Sequence, residues 1–256
     1  MKQEQAVHQI TQSLIADKRV RAVYLKGSIG RGEHDEHSDV DLYCLVDEVT
    51  EEAFLKDRLR HLEAYRKLVF YEDYFIIAPQ IIAVFDDLLH VDLYTVTEKT
   101  FQSKDYFRVL YDPENILATY ESAQTLALTA DEFTDCAHDV AWFLFQYSKS
   151  ANRSNDLWSA AMVHNVLINL AKVLLHRYQP DRAQLGLKEL AASLPKQPLL
   201  EVKRIYNEAT PSSHPIAVKR LVLLLQEEQE WLEDQLGADS QIVSFMKTMT
   251  NELIIS

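Results

Sequence analysis

The chain has 256 residues, 47% of them hydrophobic and 25% charged, proportions of a soluble globular protein with room for one large or two modest domains. Its 39 acidic against 26 basic residues leave a net charge of −13, which speaks against a nucleic-acid partner because polyanion binding needs a basic surface. The two cysteines, Cys44 and Cys136, have no zinc spacing and make no disulfide framework, there is no apolar leader, and the longest aliphatic run, Leu221 to Leu225, is too short to cross a bilayer. Buried free thiols, a cytoplasmic location and no membrane partner are the expectations.

In chain order, Val7, Ile10 and Leu14, with Ala6 and Ile15 beside them, predict a helix over residues 2–18 that covers one face of a sheet. Val20 to Leu25 reads as a strand. The next stretch, Lys26-Gly27-Ser28-Ile29-Gly30-Arg31-Gly32-Glu33, holds three of the five glycines in the chain, so a scarce flexible residue is concentrated at one turn. Backbone amides freed there, the Ser28 hydroxyl and a helix start make a pocket for phosphate oxygens. Arg31 adds a fixed cation for the same oxygens. Asp39 to Val46 is a second strand. Side chains two apart share a strand face, so Asp39 and Asp41 point the same way with Cβ atoms roughly 6–7 Å apart. Val40, Leu42, Cys44 and Val46 form an apolar set on the other face. Neighbouring carboxylates raise one another's pKa, and Mg²⁺ or Mn²⁺ is the hard cation that suits them.

Further on, Thr50 is the expected N-cap of a helix to about residue 68, followed by strands over 74–78, 80–85 and 88–96. The last of these puts His90, Asp92 and Tyr94 on one face and Leu89, Val91 and Leu93 on the other. If it pairs beside the Asp39-x-Asp41 strand, Asp92 completes a carboxylate triad; on an edge strand it faces solvent. Asp112-Pro113-Glu114 reads as a helix entry. Helical patterns then run over 114–128, 131–150, 156–178, 185–193, 198–209, 214–236 and 240–254, punctuated by Pro180, Pro195, Pro198, Pro211, Pro215 and Gly237. The fold class is α+β: a mixed β-sheet with flanking helices over residues 1–112, then an all-α helical bundle over 113–256. Trp142, Phe143, Phe145, Tyr147 and Trp158 are bundle core or the wall of an acceptor pocket.

A phosphate cradle beside an acid pair reads as nucleoside triphosphate chemistry. A Walker A loop is excluded, because Glu33 and His34 stand where Lys and Ser/Thr must be. The string Gly27-Ser28-Ile29-Gly30-Arg31-Gly32-Glu33 followed by Ser38-Asp39-Val40-Asp41-Leu42 resembles the signature of the polymerase-beta-type nucleotidyltransferase superfamily. Within it, the chain is most similar to antibiotic nucleotidyltransferases of the lincosamide type, with aminoglycoside adenylyltransferases as cousins. The motif covers about the first hundred residues. The resemblance implies transfer of a nucleoside monophosphate from a triphosphate to a hydroxyl of a small molecule such as an antibiotic. It also implies a third acid in the strand of Asp92, a helical half that binds acceptor or dimerises, and a homodimer. Asp39, Asp41 and Asp92 are the expected catalytic and metal residues, for two Mg²⁺ ions, and Gly27, Ser28 and Arg31 the expected nucleotide contacts. Two alternatives are nucleotidylation of a protein, as in toxin-paired minimal enzymes, and a catalytically silent nucleotide-binding regulator.

Overall fold

In a computed structural model, which describes residues 1–255, the periodicity of Ala6, Ile10 and Leu14 becomes the buried face of helix α1 (Lys2–Ile15). That face packs on an aliphatic layer made by alternate residues of strands β1 (Val20–Leu25) and β2 (Val40–Val46): Val23 and Leu25 from the first, and Val40, Leu42, Cys44 and Val46 from the second. Period-two alternation sends the other residues, Ala22, Tyr24, Tyr43 and Leu45, into a separate aromatic layer beneath the sheet. Between the strands lie a single helical turn, α2 (Gly27–Arg31), and a polar loop. The sheet has six strands, completed by β3 (Leu68–Phe75), β4 (Pro79–Phe85), β5 (His90–Val96) and β6 (Arg108–Tyr111), in the order β3-β4-β5-β2-β1-β6. Neighbours run antiparallel except the β2–β5 pair, which is parallel and central. The sheet is therefore mixed, as expected.

Where the structure departs from the sequence reading, polar side chains account for most of it. The single helix expected over 50–68 is two, α3 (Glu48–Leu55) and α4 (Arg58–Leu62), and the first begins after Asp47, not Thr50. Asp57, between them, accepts a hydrogen bond from Arg19 at 2.7 Å. Strand β3 starts at Leu68, ahead of the expected 74. It is an edge strand with Val69, Phe70, Tyr71 and Phe75 exposed, so burial imposes no alternation on it. Asp112 does not open an α-helix at Pro113. Its carboxylate takes the amides of Ile116 (3.0 Å) and Leu117 (2.8 Å), closing a turn into a 3₁₀ helix over Leu117–Ala123 whose Leu117 is buried with Tyr24. Residues 113–125 thus stay with the sheet, and the chain divides into compact units between Thr125 and Leu126, where the sequence reading sets the boundary at 112/113.

The second unit is all helical: α5 (Ala130–Ala151), α6 (Asp156–Tyr178), α7 (Leu187–Ser193), α8 (Lys196–Glu208), α9 (His214–Glu227), α10 (Gln229–Leu236) and α11 (Gln241–Ile255). Helix α5 opens with a capping box, Thr129 and Glu132 exchanging hydrogen bonds with each other's backbone amides. The expected 214–236 helix is broken at Glu228, a buried carboxylate turned inward to Arg177 and the Tyr178 hydroxyl. Helix α6 is long and apolar enough by length and composition to span a membrane, but its apolar residues from Met162 to Leu175, the exposed Ile168 apart, are core of this bundle. Both cysteines are buried free thiols.

The join of α1 to β1 is tied down by Asp17, 9% exposed, which accepts from Arg19 Nε (2.9 Å) and Nη2 (2.6 Å) and from Arg60 Nη2 (2.7 Å). The hydrogen bond from the Arg19 guanidinium holds the Asp17 carboxyl well below the usual carboxylate range. A depressed folded-state pKa stabilises fully above the unfolded value, about 3.9, and the gain fades as pH falls below it. Asp17→Asn is expected to cost about 2 kcal/mol in urea unfolding at pH 7. The difference from wild type should shrink steadily as unfolding is repeated below pH 4.

Candidate active site

The site forms where β1 ends and β2 begins. Lys26 N–H donates to the Asp41 carbonyl at 3.0 Å, so the chain turns into α2 while still bonded to β2. Gly27 has φ +62°, and a Cβ built on it would lie 1.9 Å from Asp41 Oδ2. Glycine is required twice over here, for the left-handed backbone and for the carboxylate lying against it. At Gly30 a Cβ would meet the Leu25 carbonyl oxygen at 2.6 Å, so this turn closes tightly on the end of β1. The half-buried Ser28 hydroxyl has no protein partner among the described residues.

The parallel register of β2 and β5 sets Asp41 opposite Asp92, and two residues before them Asp39 lies beside His90. Asp92 is therefore in the central pair and not on an edge. Its side chain is 12% exposed, against 49% for Asp39. Burial raises the Asp41 carboxyl to about 6, with Asp39, Asp92 and Asp105 adding to the rise. No hydrogen bond to its carboxylate offsets this among the described residues. His90 lies between the other two acids, Nε2 3.0 Å from Asp92 Oδ1 and Nδ1 3.8 Å from Asp39 Oδ2, and the hydrogen bond to Asp92 raises its pKa. Among the described residues no group of three or more His, Cys, Asp or Glu is arranged to hold a metal ion as it stands. The donor set nonetheless fits a hard divalent cation: three carboxylates and no thiol, with negative charge in excess of what surrounds it.

Asp105 enters the site unannounced by any local motif, whereas Lys26 opens the glycine stretch itself. Asp105, in the loop after β5, accepts from Gly27 N–H (3.2 Å) and from Arg31 Nη1 (2.6 Å), and Arg31 Nε also donates to Glu33 (2.8 Å). The cation expected at the phosphate loop is thus engaged by carboxylates of its own chain. Lys26, 4% exposed, donates from Nζ to the carbonyls of Gln102 (2.6 Å) and Lys104 (2.8 Å) and lies over the rings of Tyr43 and Phe101; burial pushes its pKa down to about 8. Next to the acids, Tyr24, Tyr43 and Tyr94 stack across three adjacent strands, with ring centroids 5.1 and 4.3 Å apart. Of the loop histidines, His37 is exposed, while His34 is half-buried with neither ring nitrogen hydrogen-bonded.

The helical unit has its own cavity of about 460 Å³, lined in part by Tyr147, Ser148, Asp156 and His214. Several of its polar groups are hydrogen-bonded: Tyr147 O–H with His214 Nδ1 (2.9 Å), His214 Nε2 with Asp156 (3.3 Å), and Ser148 O–H to Glu252 (2.7 Å). Of the aromatic residues proposed as an acceptor wall, Tyr147 lines this cavity, Phe143 and Phe145 pack on the core, and Trp142 and Trp158 are exposed.

Residues 7–110 match the family model of the nucleotidyltransferase domain, a match at the level of the polymerase-beta-type superfamily. No curated protein matches the chain. Among solved structures, an aminoglycoside 6-adenyltransferase from Bacillus subtilis is similar at 17% identity, with 99% of each chain covered and a TM-score of 0.41. A nucleotidyltransferase-like protein from Exiguobacterium sibiricum is similar at 13% identity, covering 98% of this chain and 87% of that one, with a TM-score of 0.39. A cyclic dinucleotide synthase from Elizabethkingia meningoseptica shares 12% identity over 98% and 92% of the two chains, with a TM-score of 0.31.

The crowding of charge has a measurable consequence. Asp41→Asn removes a buried like charge without breaking a side-chain hydrogen bond, so the variant is expected to unfold about 1–3 kcal/mol less readily than wild type at pH 7 in chelator. Gly27→Ala, with its φ +62° backbone and its contact with Asp41, is expected to lose about 1–3 kcal/mol in the same assay.

Proposed function

We propose that this chain is a metal-dependent nucleotidyltransferase that moves a nucleoside monophosphate from a nucleoside triphosphate to a hydroxyl of a small molecule. The observation that carries the reading is the convergence of Asp41 and Asp92 across the parallel β2–β5 pair, with Asp39 beside them and the Asp41 carboxylate lying on the Gly27 turn. Asp39 and Asp41, with Asp92, would hold Mg²⁺, or Mn²⁺ in its place, as one or two ions. The cation neutralises phosphate charge and polarises the α-phosphate when bound.

The chain's own residues do the rest. The Gly27 amide and the Ser28 hydroxyl bind oxygens of the triphosphate tail, and Arg31 offsets the charge that grows on departing pyrophosphate. The acceptor oxygen attacks the α-phosphorus, the bond to the β-phosphate oxygen breaks, and the hydroxyl proton passes to Asp92 when that carboxylate acts as base. His90 orients the Asp92 carboxylate through its 3.0 Å hydrogen bond. The acceptor class follows from the motif's resemblance to antibiotic nucleotidyltransferases, and the net charge of −13 favours an amine-bearing acceptor over a polyanion.

The test is incubation with each nucleoside triphosphate, Mg²⁺ and a panel of lincosamides and aminoglycosides, followed by mass spectrometry. An acceptor heavier by one nucleoside monophosphate is expected from wild type, and none from Asp41→Asn, whose circular dichroism should match wild type. Modification of the protein itself or of a partner protein, with the panel untouched, would overturn the small-molecule assignment. In the same preparations Mg²⁺ is expected to raise the melting temperature of wild type and leave that of Asp41→Asn unchanged.

A further inference from the structure

The Asp105 carboxylate occupies the place that the reading above gives to the triphosphate tail. Its Oδ2 accepts from both the Gly27 amide and the Arg31 guanidinium, two donors expected to serve phosphate oxygens. Its Oδ1 accepts from the Tyr106 amide at 2.7 Å, and its own N–H donates to the Thr125 carbonyl at 2.9 Å. The residue has φ +66°, a left-handed backbone uncommon outside glycine. The loop before it is gripped by the buried Lys26 ammonium through the carbonyls of Gln102 and Lys104. A strained residue anchored at both ends therefore aims an anion at an amide and a guanidinium. Asp105 adds to the charge that raises Asp41, so its position is electrostatically unfavourable toward the acids, and its partners are the Gly27 and Tyr106 amides and the Arg31 and Lys26 cations.

We propose, resting on that nucleotide reading, that Asp105 is an intramolecular competitor for the phosphate-tail subsite. It fills the subsite in the nucleotide-free protein, yields to an incoming triphosphate, and re-enters to expel pyrophosphate after transfer. A phosphate oxygen and a carboxylate oxygen ask for the same donors, and both cannot hold them. Ligands that reach Gly27 and Arg31 lose affinity to this competition, whereas a monophosphate that stops short of them does not. Asp105 thus sets affinity for the tail and leaves recognition of the nucleoside untouched.

The test compares wild type with Asp105→Asn and Asp105→Gly, because asparagine and glycine both tolerate the left-handed backbone. Calorimetry in Mg²⁺ would use the α,β-methylene analogues of the four nucleoside triphosphates, inorganic pyrophosphate and the nucleoside monophosphates. Both variants are expected to bind pyrophosphate and the preferred triphosphate analogue about three- to tenfold tighter than wild type, with monophosphate affinity unchanged. Unchanged or weaker tail binding by variants that melt as wild type does would overturn the proposal while leaving the proposed reaction standing. So would an equal gain for the monophosphates. Failure of wild type and both variants to bind any triphosphate analogue would overturn the nucleotide reading and this proposal together.

Discussion

Like charges held together at the end of a parallel strand pair are the constraint on which this structure turns. Asp41 and Asp92 are register partners, Asp39 stands one pleat away, and burial adds to their repulsion. A fold that brings carboxylates together this way carries a standing cost unless something positive sits among them. Much of the local architecture answers that cost. Glycine at 27 leaves room for one carboxylate to lie against the backbone, and His90 lies between the other two acids.

Two charged groups of the site find partners within the chain. An imidazole stands among the acids, and the Asp105 carboxylate stands on the amide and guanidinium of the glycine turn. Each meets groups of opposite character: the imidazole two carboxylates, the carboxylate an amide and a guanidinium. The Ser28 hydroxyl and the Asp41 carboxylate have no hydrogen-bond partner among the described residues.

Much of this was legible in the sequence because it depends on short-range periodicity. The alternation from Val40 to Val46 and from Leu89 to Leu93 assigned the aliphatic and acidic faces correctly, and both faces appear as two separate layers. Strand β1 and helix α6 have the bounds the pattern implies. The parts that were not legible depend on contacts distant in sequence. Nothing near Asp105 signals that it meets Gly27 and Arg31, and His90 gains a role only through the β2–β5 register. Asp112 carries a helix-start signature but spends its carboxylate on a turn, and Glu228 breaks a helix that its neighbours would continue, because Arg177 and Tyr178 draw it inward. Edge strand β3 escaped its correct span for the opposite reason: with both faces exposed, its residues carry no burial code.

The central claim is that the paired acids of β2, Asp39 and Asp41, hold a cation beside Asp92. The most direct measurement is anomalous scattering from crystals grown with Mn²⁺ and an α,β-methylene nucleoside triphosphate. The expected result is a manganese peak bonded to the carboxylates of Asp39 and Asp41, with His90 no longer bridging Asp39 and Asp92. Manganese bound only elsewhere on the chain, with His90 still between those acids and nucleotide present, would contradict it.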